Sequence, residues 1–110
     1  MKRQNDHARL RRLARMCLDR DLANLRKAAD AKEALYDRLT DLEPGPTTGF
    51  DPVTAARIAT MHQIWADARR AEINVSLAGS IALWLEARSV ASKSFGRWQV
   101  LSKLAPTRVK

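Results

Sequence analysis

The sequence is poor in cysteine, in aromatic residues and in long apolar runs, and each shortage excludes a class of protein. The single Cys17 cannot form an intramolecular disulfide, which suits a reducing compartment. The longest strictly apolar run, Ile81 to Leu85, is far too short to cross a bilayer. Arginines interrupt the N-terminal stretch where a secretory signal needs an apolar core. We therefore expect a cytoplasmic protein with no transmembrane segment.

Catalytic and ligand-binding patterns are also missing. Only two histidines occur, His7 and His62, and neither has the partners of a catalytic dyad or triad. The sequence contains no glycine-rich phosphate loop and no Cys/His metal spacing. We expect no enzyme activity, no cofactor and no metal. His62 is expected to bond Glu33 across the helices, and Cys17 to act as a small buried hydrophobe.

Helix breakers are concentrated in one short segment, EPGPTTGFDP, which holds Pro44, Gly45, Pro46, Gly49 and Pro52. Residues 1–43 and 53–105 contain no proline and only two glycines. This distribution predicts an all-α fold, an antiparallel two-helix coiled-coil hairpin forming a single domain over 1–110. The first helix should span about 4–42, the turn 43–51 and the longer second helix about 52–105. Asp51 and Pro52 suit the N-cap and the first helical position.

Apolar residues with alternating spacings of three and four predict the packing stripes of both helices. The predicted stripe of the first helix comprises Leu18, Leu22, Leu25, Ala29, Lys32, Tyr36 and Leu39. The predicted stripe of the second comprises Ile58, Met61, Trp65, Ala68, Glu72 and Val75. On this reading Trp65 belongs to the core. From Ile73 onward the second helix has apolar residues on several faces. A single partner helix cannot cover all of them.

A turn centred near residues 47–48 pairs Leu18 with Leu77 and Leu10 with Leu85. The second helix then extends past its partner beyond residue 91, and an apolar ridge there should be exposed: Phe95, Trp98, Leu101 and Leu104. The alternative is that Phe95 and Trp98 fold onto the first helix. Gly79 is expected to allow close approach of the first helix.

Charge is distributed unevenly along the chain. Residues 88–110 carry 6 basic side chains and no acidic one, whereas residues 44–87 carry 3 basic and 4 acidic. The first fifteen residues add 6 basic side chains against Asp6. Because a hairpin brings both ends together, one end of it should be strongly basic. Such a field steers a protein toward an acidic partner.

These basic and apolar residues together form the predicted partner-binding surface, with Trp98 as the first candidate for a hot spot. The set comprises Arg9, Arg11, Arg12, Arg15, Trp84, Arg88, Lys93, Phe95, Arg97, Trp98, Leu101, Lys103 and Leu104.

The C-terminal segment 88–104, RSVASKSFGRWQVLSKL, follows the pattern RxxASKSFGRxxVLxxL. Together with a two-helix hairpin whose ends meet, this segment resembles the FliJ/YscO family, the central-stalk proteins of flagellar and type III protein export machinery. The resemblance implies a non-enzymatic stalk or adaptor in the cytoplasm at the membrane-associated export apparatus. It also implies that the basic end docks onto an export ATPase ring or an export-gate protein.

Two other readings remain open. A small basic helical protein can bind nucleic acid through its phosphates, although no recognition motif is present. A basic helix that contains tryptophan can also attach to a membrane surface.

Overall fold

The computed structural model describes residues 2–104, which form two α-helices, α1 (Lys2–Thr40) and α2 (Pro52–Lys103). The helices form an antiparallel hairpin and no strand occurs among the described residues, so the predicted fold class is confirmed. With 52 residues against 39, α2 is the longer helix, as expected. The predicted end of α2 at residue 105 lies outside the described residues.

The chain divides into two compact units, each containing part of both helices. Unit 1 combines the start of α1 with the end of α2, Met1–Ala29 with Ala82–Lys110. Unit 2 is the continuous segment Asp30–Ile81, which includes the connection between the helices.

The ends of the connection follow the local chemistry of the sequence. Helix α2 begins at Pro52, and its first intrahelical bond runs from the Ala55 amide to the Asp51 carbonyl at 2.8 Å. Proline suits this position because the first amides of a helix have no intrahelical acceptor. Just before it, Gly49 adopts a φ of 96°, a left-handed conformation that costs glycine little.

The core of unit 2 lies between the end of α1 and the first half of α2. Leu42, Ala66 and Ile73 are buried there, and Leu35 and Leu39 pack against them. Trp65 is 53% exposed, so its predicted place in the core is wrong. The side of α2 that packs against α1 in this unit is instead shifted by one residue from the prediction, to Ala66 and Ile73.

His62 of α2 forms a hydrogen bond just past the end of α1. Its Nε2 lies 2.8 Å from the carbonyl oxygen of Leu42, and because a carbonyl only accepts, Nε2 carries the hydrogen. The expected bond to Glu33 is therefore replaced by a bond to the carbonyl of Leu42, two residues past the end of α1. The ring centroid of His62 also lies 5.7 Å from that of Trp65.

Unit 1 has a smaller core with a polar centre. Leu18 is 2% exposed, and Ala91 is buried on the facing helix. Asp21 and Ser94 are also buried, and the Ser94 hydroxyl donates a hydrogen bond to Oδ2 of Asp21. The next buried position along α1 after Leu18 is therefore Asp21, whereas the predicted stripe member Leu22 is exposed.

The predicted pairing of the helices is wrong in both units. Residues 15–21 of α1 lie opposite residues 94–98 of α2, not opposite 74–80. In unit 2 the connection contributes to the shift, because Leu42 and Pro44 line one cavity with Ala59 and Ala66. An extended segment advances about 3.3 Å per residue against 1.5 Å in a helix, so a few connecting residues match several turns of α2.

Gly79 also differs from expectation. A Cβ placed on it meets no atom within 4 Å, so no close approach of α1 requires a glycine there.

Candidate functional site

The residues of the predicted partner-binding surface all belong to unit 1. Most of their side chains are exposed, while Trp84, Trp98 and Leu101 are half-buried. The hairpin thus brings the basic start of α1 and the basic end of α2 into one unit, as the charge pattern predicted. Within residues 2–29 and 82–104, 13 basic side chains stand against 4 acidic ones, a net charge of +9.

Trp98 has an internal partner, contrary to the predicted overhang. The guanidinium carbon of Arg15 lies 5.2 Å from the centroid of the Trp98 ring, a cation–π contact. Phe95, 47% exposed, lies beside it with ring centroids 6.1 Å apart. The end of α2 therefore packs against the start of α1, which corresponds to the alternative that Phe95 and Trp98 fold onto the first helix.

A group of cations surrounds this contact. One concavity of about 420 Å³ is lined by Arg11, Arg12, Arg15, Trp98 and Ser102. We call it the cationic cluster. The arginines come from successive turns of α1, and Trp98 comes from α2. Guanidinium groups in such an array bind carboxylates or phosphates, often by paired hydrogen bonds.

An apolar groove of about 570 Å³ lies in the same unit, on the other side of the seam between the two helices from the cationic cluster. It is lined by Leu10, Leu13, Ala14, Cys17, Gly96, Arg97, Val100 and Leu101. Leu10, Leu13 and Val100 are each at least half exposed, and Cys17 is exposed rather than buried as expected. An apolar centre with a cation, Arg97, at its rim has the composition of a protein–protein interface.

A second tryptophan of the predicted surface is arranged in a similar way. The guanidinium carbon of Arg88 lies 5.6 Å from the centroid of the Trp84 ring, one helical turn away. Both of these α2 residues belong to unit 1.

A buried polar contact positions this surface, and sequence reasoning did not identify it. Asp21 accepts from the Ser94 hydroxyl at Oδ2 and from Arg20 Nε at Oδ1, the latter at 3.1 Å. These hydrogen bonds, helped by the charges of Arg20 and Arg97, hold the pKa of Asp21 below its usual value although burial opposes them. A hydrogen bond across the two helices resists sliding, so it fixes the level at which Trp98 meets Arg15.

A sequence signal for this contact was present. Along α1 and the two residues after it, one set of positions continues the three–four spacing without a break: Leu18, Asp21, Leu25, Ala28, Lys32, Leu35, Leu39 and Leu42. All of them are buried or half-buried. An aspartate in such a stripe is costly unless paired, which points to a polar partner on the facing helix.

Within residues 2–104, no group of three or more His, Cys, Asp or Glu side chains is arranged to hold a metal ion. None of the helices described there combines the length and apolar character needed to cross a membrane.

Comparison with known proteins gave no match: no family model, no curated protein and no solved structure is significantly similar to this chain. The resemblance to the FliJ/YscO family rests on the sequence pattern and stays a prediction.

Proposed function

We propose that this protein is a non-enzymatic adaptor that binds an acidic protein surface through unit 1. The observation that carries the proposal is that one pair of helix ends holds both the cationic cluster and the apolar groove, one on each side of the seam between the helices. A partner that contacts both sides would place acidic side chains at the arginines and apolar side chains in the groove. Interfaces of this kind combine an apolar centre with a charged rim.

The two units carry net charges of opposite sign, and this difference determines which unit an acidic partner approaches. Unit 1 carries +9 within its described residues, whereas unit 2 carries 5 basic and 8 acidic side chains, a net charge of −3. An acidic partner is therefore attracted to unit 1 and repelled by unit 2. This asymmetry raises the rate of productive encounters, and salt weakens it.

The resemblance to the FliJ/YscO family supplies the first partner to test. We infer a role as stalk or adaptor in a flagellar or type III export apparatus, with unit 1 docking onto an export ATPase ring or an export-gate protein. This role would place the protein in the cytoplasm, at the membrane-associated apparatus.

Nucleic-acid binding is the second candidate, and the cationic cluster favours it. Three arginines around one concavity suit backbone phosphates as well as carboxylates. Two observations favour a protein partner instead. The Arg15 guanidinium lies over the half-buried Trp98 ring, where it competes with a stacking base. The apolar groove of the same unit offers no groups that bind a phosphate backbone apart from Arg97.

Binding kinetics over a salt series test the proposal. The purified chain would be mixed with the purified export ATPase, the soluble domain of the export gate, or a short DNA duplex, each in turn. We expect association with one of the two proteins that slows steeply as salt rises. Replacing Arg9, Arg11 and Arg12 by Gln should slow association and flatten its salt dependence, because exposed charges mainly steer encounter.

A matched control removes the same number of charges from unit 2, by changing Arg38, Arg69 and Arg70 to Gln. These side chains are exposed, and the surface ion pairs of Arg69 and Arg70 contribute little to stability. The control variant should associate at least as fast as the wild type. DNA binding without binding to either protein would contradict the adaptor proposal and favour the nucleic-acid reading.

A further inference from the structure

Helix α2 carries a second apolar stripe within unit 2, and this stripe is exposed. Met61 and Val75 expose 71% and 76% of their surface, and the other members are also exposed. We call this set the α2 stripe: Val53, Ile58, Met61, Ile64, Trp65 and Val75. It includes much of the stripe that the sequence assigned to the interior of the hairpin.

The α2 stripe faces away from the core of its unit. At 3.6 residues per turn, its centre lies roughly 150° around the helix from the side that bears Ala66 and Ile73. The part of α1 in unit 2 packs on the Ala66 side through Leu35 and Leu39. It cannot cover the opposite face of the same helix.

The charges along the α2 stripe complement those of the same stripe on a second, antiparallel copy of the chain. On this face between Val53 and Val75 lie Arg57 and Glu72, one toward each end of the stripe. Arg69 lies at its edge and pairs with Glu72 of its own helix at 3.1 Å. The midpoint between Arg57 and Glu72 falls between Ile64 and Trp65. An antiparallel pairing of two copies about that midpoint brings Arg57 of each copy level with Glu72 of the other. A parallel pairing would bring like charges together.

The sizes of the facing side chains also match in the antiparallel arrangement. Met61 of one copy comes level with Ala68 of the other, and Ile58 comes level with Ala71. Large side chains thus meet small ones on either side of the centre, which lets the helices approach there, and at the centre itself Ile64 of each copy comes level with Trp65 of the other. From the exposed fractions, the six side chains of the α2 stripe offer on the order of 700 Å² per copy, close to the roughly 800 Å² that each partner contributes to a standard interface.

We propose that the α2 stripe is a homodimer interface in which a second copy of this chain packs antiparallel, with Arg57 of each copy paired to Glu72 of the other. Such a contact uses the same patch on both copies and closes after two, as expected of a two-fold interface. It involves residues of unit 2 alone, whereas the proposed adaptor surface consists of residues of unit 1, so it stands independently of the proposed adaptor function.

Sedimentation velocity on the full chain tests the proposal, over loading concentrations from micromolar to hundreds of micromolar and under reducing conditions that prevent Cys17 disulfides. We expect a reversible dimer in the wild type. Arg57→Glu and Glu72→Arg should each weaken dimerisation about tenfold or more, because each charge reversal creates two contacts between like charges in the dimer. The double variant Arg57→Glu/Glu72→Arg should restore it.

Two further variants complete the design. Met61→Glu should abolish the dimer, and Arg38→Glu, an exposed α1 residue of the same unit, should leave it unchanged. Circular dichroism checks that all variants remain helical. A wild type that stays monomeric throughout overturns the proposal. A dimer that survives Met61→Glu, or one that the double charge variant fails to restore, overturns the proposed face or the antiparallel arrangement.

Discussion

Two leucines one turn apart on α1 provide a sensitive test of the packing described above. Leu18 is 2% exposed and lies between Arg15 and Asp21, both of which contact α2. Leu22 is 45% exposed. Both are leucines in the interior of the same helix, so changing either to alanine alters the intrinsic helix propensity equally. Any difference between the two variants therefore measures tertiary packing.

We expect Leu18→Ala to lower the free energy of unfolding by about 3 kcal/mol. Truncating a buried leucine costs roughly 2–5 kcal/mol, from lost burial and from the cavity left behind. Leu22→Ala should cost under about 1 kcal/mol, as is usual for exposed positions. For a chain of this size, the difference corresponds to a fall in Tm of roughly 10 °C or more for Leu18→Ala.

Urea unfolding followed by circular dichroism at 222 nm measures both values. The slope with urea should be the same in both variants and the wild type, so that midpoints report stability. If Leu22→Ala costs as much as Leu18→Ala, the stripe through Leu22, Ala29 and Tyr36 is the packed one, and the described seam through Asp21 is refuted.

The remaining predictions concern a buried carboxylate and two glycines. Because the folded-state pKa of Asp21 is lowered, its contribution to stability is present above its unfolded pKa of about 4 and is lost as pH falls through the folded pKa. The wild type should therefore lose more stability than Asp21→Asn between neutral pH and pH about 3, measured by urea unfolding; equal losses would contradict the Ser94 contact. Gly79→Ala should stabilise the protein by about 0.5–1 kcal/mol, since space is open there and alanine favours helix. Gly49→Ala should destabilise it by about 1 kcal/mol, since φ is 96°. Thermal melts decide this pair, and a destabilised Gly79→Ala would show that α1 does approach closely.

Local sequence features were enough to predict the architecture. The cluster from Pro44 to Pro52 interrupts the helices, and the long segments without proline on either side continue them. Prolines and glycines of this kind affect only the few residues around them, so their effect can be predicted without tertiary information. The same logic predicted the basic unit, because any antiparallel hairpin joins its two ends.

The packing stripe of α2 was beyond what local patterns determine. In residues 53–75 this helix has apolar side chains on two faces, and a spacing of three and four fits both of them. The sequence assigned Trp65 and Met61 to the interior, whereas the hairpin uses Ala66 and Ile73. Only the position of α1 distinguishes the two faces, because burial depends on the neighbouring helix.

The level at which the helices meet was likewise decided by tertiary structure. The sequence shows where the connection begins and ends, but not that Leu42 would bond His62 and that Pro44 would continue along α2. In unit 1, likewise, only the fold shows that Trp98 lies under Arg15 instead of lacking a partner. Asp21 and Ser94 lie 73 positions apart in the sequence, so their hydrogen bond exists only once the fold has brought them together.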